Sequence, residues 1–389
     1  MRVLHLHSGN MYGGVETLLT TLVREAGAAP GMTPDVALCF PGRLAGELQA
    51  IGRPAFMLEP VRLSRPFSLL KARQALRRLL QGGPEGPAAT SRFDAVVCHQ
   101  PWSCVAFGPV VRAAGFPVVL WVHMAVEGGA LLDRLARRVR PDLAVCNSEF
   151  TRTRVRRWLP NVQTEVVYGP VSLASVPPGA PGREAMRASL DTPLNDTVVV
   201  MASRLDAMKG HRVLISALER LRQVPGWTCW IVGGAQSADE AVYEHELQRA
   251  VHVFDLDRRV RFVGQRSDVP AVLRAADVYC QPNTAPDAFG LSFVEALHAG
   301  LPVVTSALGG ALEIVDRDCG YLLPPGDEDA CAAALRALIV DAGQRSRLGQ
   351  AARHRPAAIC DPRTEIRRLQ QVLASFPPAA AAPLTALAG

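Results

Sequence analysis

The run PDAFGLSFVEAL, residues 286–297, sets two carboxylates eight positions apart, Asp287 and Glu295, with Gly290 between them. A helix starting near Gly290 would point unpaired N–H groups at an anion. Glu295 would then sit about two turns in, near the same mouth. A buried carboxylate needs hydroxyl or N–H partners, and a ribose diol or a hexose ring can supply them. The alternatives are a helix-start acid for Asp287 and an ion-paired surface group for Glu295. A second run, MASRLDAMKGH (201–211), places Arg204 and Lys209 in a loop opening a helix. Arg as a fork and Lys as a point charge could clamp a diphosphate there; a solvated basic loop is the plain alternative.

Two further stretches carry possible chemistry nearer the start. In SGNMYGGVETLL (8–19), Gly13 and Gly14 sit in a strand-to-helix turn where backbone N–H groups can approach a phosphate. A tight turn requiring positive φ would explain the pair equally well. The pattern is not GxGxxG and lacks an acid at ribose-binding spacing, so a nicotinamide site is not expected. His123 ends the apolar run VVLWVHM, where it could bind a hydroxyl or meet a developing charge, or serve as a satisfied rim histidine. His99 ends VVCHQPW in the same way and carries less weight.

These residues need a scaffold that brings strand ends together. Short apolar runs alternate with amphipathic ones throughout, the pattern of α/β units with parallel sheets. The first half offers RVLHLHS, DVALCF, AFMLEP, DAVVCHQ, VVLWVHM, LAVCNS and EVVYGP as strands. The second restarts with TVVVMAS, TCWIVGG, VRFVGQ, DVYCQPN, LPVVTSA and GYLLPPG. Pro and Gly crowd at 175–182, as in an interdomain linker. A loop is expected at 82–91, a break at 354–362 and a flexible tail at 377–389. The expected domains are 1–174, joined by a helix at 362–376, and 183–359. In such folds ligands bind at the carboxyl ends of strands, and a cleft between two domains is the natural place for one.

Composition fits this picture and narrows the partners. The chain has 389 residues, 49% of them hydrophobic and 20% charged, so it is globular rather than disordered. A net charge of +6 suits an anionic small molecule or an acidic membrane surface. No nucleic-acid partner is expected. The nine cysteines show no CxxC pairing and mostly fall in apolar strands, which points to reduced core thiols and a cytoplasmic setting. No run is long enough to span a bilayer. The Arg-rich runs LLDRLARRVRP and TRTRVRRWLP could touch anionic lipid, though a solvated helix face is the better reading. Any membrane contact would therefore be peripheral, at the inner surface.

Taken in order, the early GG turn, the strand-ending His123, SRLDAMKGH, VRFVGQ, the acid-x7-acid pair and AGLPVVTSALGGALEIV resemble the GT-B retaining glycosyltransferases of family 4. The resemblance spans nearly the whole chain. It implies two Rossmann-like, doubly wound parallel-sheet domains facing a cleft. It also implies transfer of a hexose-type sugar from a nucleotide-diphosphate donor to a glycan, lipid-linked or small-molecule acceptor, without metal or cofactor. On that resemblance Arg204 and Lys209 hold the donor diphosphate and Glu295 the ribose. Asp287, where the family usually has Glu, and His123 meet the transferred sugar. Phe289, Gly290 and Leu291 add backbone contacts to phosphate and sugar, and Gly13 and Gly14 close the phosphate side. A nucleotide-sugar epimerase and a non-catalytic nucleotide-sugar binder are the rival classes.

Overall fold

Strands that are apolar on both faces demand a sheet covered on both sides. The computed structural model describes residues 1–82, 93–170 and 180–376. In it the apolar runs form two all-parallel sheets, one in each of two compact units, Met1–Ser172 with Cys360–Gly389, and Leu173–Ile359. The expected tail at 377–389, the loop at 82–91 except for Gly82, and most of the linker at 175–182 lie outside the described residues.

The first unit holds β1 (Arg2–His7), β2 (Thr33–Leu38), β3 (Phe56–Met57), β4 (Ala95–His99), β5 (Val119–Val122), β6 (Leu143–Cys146) and β7 (Gln163–Val166). Their order across the sheet is β3-β2-β1-β4-β5-β6-β7. Alternate residues feed opposite layers, as a period of two requires. Leu4, Leu6, Val96, Cys98, Leu120 and Val122 pack into one core. Val3, Ala95, Val97, Val119 and Trp121 pack into the other, against Leu18, Leu19 and Leu22 of the helix Gly14–Arg24. That second layer is completed from the far end of the chain. Ile366, Leu369 and Leu373 of the helix Pro362–Ala374 are at most 1% exposed there.

The second unit holds β8 (Thr197–Ala202), β9 (Trp227–Val232), β10 (Val260–Gly264), β11 (Val278–Gln281), β12 (Val303–Ser306) and β13 (Gly320–Leu323). Their order is β10-β9-β8-β11-β12-β13. In both sheets the chain winds outward from one strand and then returns to wind the other way. The switch lies between β1 and β4 in one unit and between β8 and β11 in the other. Helices passing above the sheet in opposite directions leave a crevice at the carboxyl ends of those strands, which is where ligands bind in open α/β sheets.

The expected break at 354–362 is narrower than the sequence suggests. A helix runs Ala342–Cys360 straight through Pro356, and only Asp361 interrupts it before the next helix begins at Pro362. Asp361 makes that start by accepting from the Thr364 N–H at 2.9 Å, and Pro362 needs no donor at a first helical position. The proposed strand EVVYGP is also shorter, ending at Val166. All nine cysteines are free and buried. Among the described residues no helix is long and apolar enough to cross a membrane.

Candidate functional site

Three loops meet above the switch point of the second unit. The loop after β8 turns through Ala207–Lys209, a short 3-10 segment capped by the Asp206 side chain, which accepts from Met208 N–H at 3.0 Å. Gly210 follows with φ +83, and a Cβ there would lie 1.8 Å from the carbonyl oxygen of Pro282. Only glycine lets the loops after β8 and β11 lie this close. They are stitched by Thr284 N–H to the Met208 carbonyl at 2.9 Å and by the Thr284 hydroxyl to the Ala207 carbonyl at 3.2 Å. The loop after β12 closes from behind. Gly310 N–H donates to the Asp287 carbonyl at 2.9 Å, and a Cβ on Gly309 or Gly310 would strike Asp287 or Phe289.

Both cations of this site are paired with a carboxylate, Lys209 largely buried and Arg204 exposed. Lys209 Nζ lies 2.5 Å from Asp287 Oδ2, with both side chains about three-quarters buried. Arg204 Nη2 lies 2.9 Å from Glu240 Oε1. Glu240 is itself held by the Gln236 N–H at 2.6 Å. Each pair is locally neutral, so an entering diphosphate must draw the cation from its carboxylate or bind alongside it. Asp287 also accepts from Ala288 N–H at 3.0 Å, which fixes its carboxylate beside the helix start. The helix Leu291–His298 begins behind Gly290, φ +104, with no side-chain cap, so its N-terminus stays open to an anion.

Glu295 differs from every other acid of the site. It is half-buried on the second turn of that helix and has no hydrogen-bond or ion-pair partner among the described residues. Burial pushes its carboxyl up to about 7. Burial also holds the Tyr279 phenol above its usual range, with the charges of Glu295 and then Asp287 adding to the effect. Tyr279, Gln281, Asn283 and Ser292 form a hydrogen-bonded floor, with Tyr279 Oη donating to Gln281 Oε1 at 2.8 Å and Gln281 Nε2 to Asn283 Oδ1 at 2.9 Å. Ser292 Oγ joins at 3.2 Å from Gln281 Oε1. A half-buried carboxylate with no protein donor is open to a ligand, and vicinal hydroxyls could serve it in place of water.

The first unit builds its switch point from neutral rings. His5 on β1, His99 at the end of β4 and His123 just past β5 stand side by side on three neighbouring strands. His5 Nδ1 and His99 Nε2 are 2.9 Å apart, as are His99 Nδ1 and His123 Nε2. Burial holds all three below the usual histidine range, His5 and His123 at about 3 and His99 well below it, so none carries a charge near neutrality. Gln100, next to His99, takes the left-handed φ of +73, an uncommon conformation for a residue with a side chain.

The GG turn is not the positive-φ turn that is the alternative to a phosphate contact. Gly13 has φ −168, an extended backbone open to any residue, so positive φ does not explain it. Its N–H donates to Glu16 Oε2 at 2.9 Å rather than standing open for a phosphate. The other oxygen of Glu16 lies 2.6 Å from His7 Nε2. Glu16 thus ties the turn to the end of β1, and Gly14 opens the helix as its first residue.

The structure therefore gathers Arg204, Lys209, Asp287, Phe289, Gly290, Leu291 and Glu295 in one unit and places Gly13, Gly14 and His123 in the other. Residues that sequence reasoning passed over include Glu240, Gly210, Gly309 and Gly310, which pair with or admit the named ones, and His5, His7 and Glu16. HLH on the first strand was a usable signal, since alternate positions share a face. Glu240 had none, because it reaches Arg204 from a separate helix, Ala238–Val253.

Comparison with known proteins adds relatives for both units. Residues 12–175 match the family described as Glycosyltransferase Family 4, and residues 182–355 match Glycosyl transferases group 1. A phosphatidyl-myo-inositol mannosyltransferase of Mycolicibacterium smegmatis is 30% identical over 65% of this chain and 64% of its own length. A D-inositol 3-phosphate glycosyltransferase of Salinispora tropica is 34% identical over 69% of this chain and 61% of its own. The chain thus spans just under two thirds of these curated relatives. A crystal structure of Anabaena HepE in complex with UDP and glucose superposes with a TM-score of 0.81 at 23% identity, covering 96% of this chain and all of that one. At that identity the likeness establishes the fold.

Proposed function

Because the chain belongs to the GT-B glycosyltransferases of family 4, we propose that it is a retaining hexosyltransferase using a nucleotide-diphosphate sugar. The observation that carries this reading is the half-buried Glu295, without a partner among the described residues, on a helix with an uncapped N-terminus that follows Asp287, the acid paired with Lys209. Ribose hydroxyls supply the donors Glu295 lacks. The diphosphate takes the N-terminus near Gly290 and the backbone of Phe289 and Leu291, and engages Lys209 and Arg204. As the sugar–phosphate bond breaks, charge grows on the departing diphosphate, and preorganised cations stabilise it most at that moment. No metal is needed for this. Asp287, drawn away from Lys209, turns to the sugar hydroxyls, and His123 is assigned to the transferred sugar as well.

For the acceptor, the inositol phosphates in the names of two relatives set the first candidates: a soluble inositol phosphate and its lipid form. A lipid acceptor would bring the chain to the inner membrane surface. The nine buried free thiols support a reducing compartment. The test is incubation with UDP-, GDP- and ADP-hexoses, with and without each acceptor, reading nucleotide release and the anomeric configuration of the product by NMR. Acceptor-dependent product with retained configuration is expected. Tight binding with no product would make the chain a nucleotide-sugar binder, and a changed sugar still on its nucleotide would make it an epimerase.

A further inference from the structure

The three histidines of the first unit form a connected line whose ends differ. His5 is fully buried, and its Nε2 has no hydrogen-bond partner among the described residues. At the other end His123 is half-buried, and among the described residues its one hydrogen bond is through Nε2 to His99, which leaves Nδ1 without a partner there. Both links have hydrogen-bond distances between ring nitrogens. For His99 and His123 the nitrogens are 2.9 Å apart, the centroids 5.0 Å apart and the ring planes 2° from parallel. That separation is close to the two ring radii plus the bond, so the parallel rings meet nitrogen to nitrogen rather than face to face. His5 and His99 give 5.2 Å for the centroids with the same 2.9 Å bond and the rings tilted by 48°. Trp121 lies against His99 and His123, at 5.3 and 5.2 Å, and holds both rings.

A neutral imidazole has one donor and one acceptor nitrogen. Each link needs one of each, so the proton positions in the three rings are not independent. Only two arrangements make both bonds. In one, His5 carries its proton on the buried Nε2, where nothing receives it, and His123 shows a bare Nδ1. In the other, His5 Nδ1 donates to His99, His99 Nδ1 donates to His123 Nε2, and His123 carries its proton on Nδ1. A buried N–H without an acceptor is the rarer and costlier orphan, so the second arrangement is preferred. His7, edge-on to His99 at 6.2 Å, is engaged by Glu16 and joins neither link.

We propose that His5 and His99 are positioning residues that act as a tautomer relay, holding His123 with its proton on Nδ1 so that it offers a hydrogen-bond donor to a sugar hydroxyl. The sugar contact rests on the function proposed above; the relay itself does not. The tension at Gln100 fits this role, because a strained residue persists where its surroundings over-determine it, and this one fixes the strand end that carries His99.

Nitrogen-15 NMR of the full chain with labelled histidine tests the relay directly, with ring signals assigned by single-histidine substitutions. The expected result is His123 protonated on Nδ1 and accepting at Nε2 without any ligand. In His5→Leu the preference should be lost and both His123 tautomers should be seen. In His5→Asn, whose amide N–H replaces the Nδ1 donor, it should return. Transfer should fall about tenfold in His5→Leu at unchanged affinity for bare nucleotide, and recover in His5→Asn. A wild-type His123 protonated on Nε2 overturns the proposal, and so does an unchanged Nδ1–H signal in folded His5→Leu. If His123→Ala leaves transfer untouched, the sugar role is wrong, whereas the ring signals still decide the relay.

Discussion

The two units share a winding pattern and put opposite chemistry at the same topological place. Above β8 and β11 stand two ion pairs, a carboxylate without a partner among the described residues and a helix N-terminus without a side-chain cap. Above β1, β4 and β5 stand three neutral histidines, His5, His99 and His123, against a tryptophan, while Glu16 is engaged by His7 and a backbone N–H. The crevice at a switch point comes with the fold, and what it binds is decided by the residues at the strand ends. Fixed charge suits a diphosphate whose charge grows during reaction. Neutral donors suit hydroxyls, because they make directional bonds without the desolvation cost of an ion.

Substitutions in the two regions should therefore fail in different ways. The largest effect belongs to Lys209→Ala, which removes a charge from the leaving group. Turnover should fall about a hundred- to a thousandfold while KM moves little, as steady-state kinetics would report. His123→Ala should cost about ten- to a hundredfold in kcat/KM for the nucleotide sugar and leave calorimetric affinity for the bare nucleotide unchanged. If His123→Ala weakened the bare nucleotide by about tenfold or more, the division between charged and neutral regions would collapse.

A smaller effect should appear with pH. Glu295 sits at about 7 without ligand. Hydroxyl donors favour its ionised form, so binding lowers this value and releases a proton. Affinity for a nucleotide sugar, whose diphosphate does not titrate in this range, should thus fall as pH drops below about 7, by at most about tenfold per pH unit. Calorimetry across pH 5.5 to 8 with wild type and Glu295→Gln checks this, since the variant should be flat. The smallest effect expected is that of chelation: transfer should persist in EDTA, because side-chain cations occupy the role a divalent ion would take. Loss of transfer restored by manganese would contradict that.

Much of this was legible before any coordinates. Apolar runs of four to six residues with helical patterns between them specify a covered parallel sheet, and the acid-x7-acid spacing fixes where Asp287 and Glu295 sit on one helix start. What stayed hidden depends on contacts between distant segments. The Lys209–Asp287 pair joins residues 78 positions apart, and no local pattern announces it. The need for glycine at 210 arises from the Pro282 carbonyl on another loop. At Gly13 the sequence suggested an open phosphate cradle, and three residues later Glu16 supplied the competitor for its N–H. Pro356 read as a break, and the helix accommodates it.

The central claim is that Glu295 binds the ribose and Asp287 the sugar. Titration calorimetry of folded wild type, Glu295→Gln and Asp287→Ala with nucleoside monophosphate, diphosphate and nucleotide sugar tests it most directly. Glu295→Gln should weaken all three ligands about ten- to a hundredfold, because each carries the ribose. Asp287→Ala should spare the first two, or tighten the diphosphate by freeing Lys209, and weaken only the nucleotide sugar. Wild-type affinity for every ligand in both variants would contradict the account and leave the acid pair as structure alone.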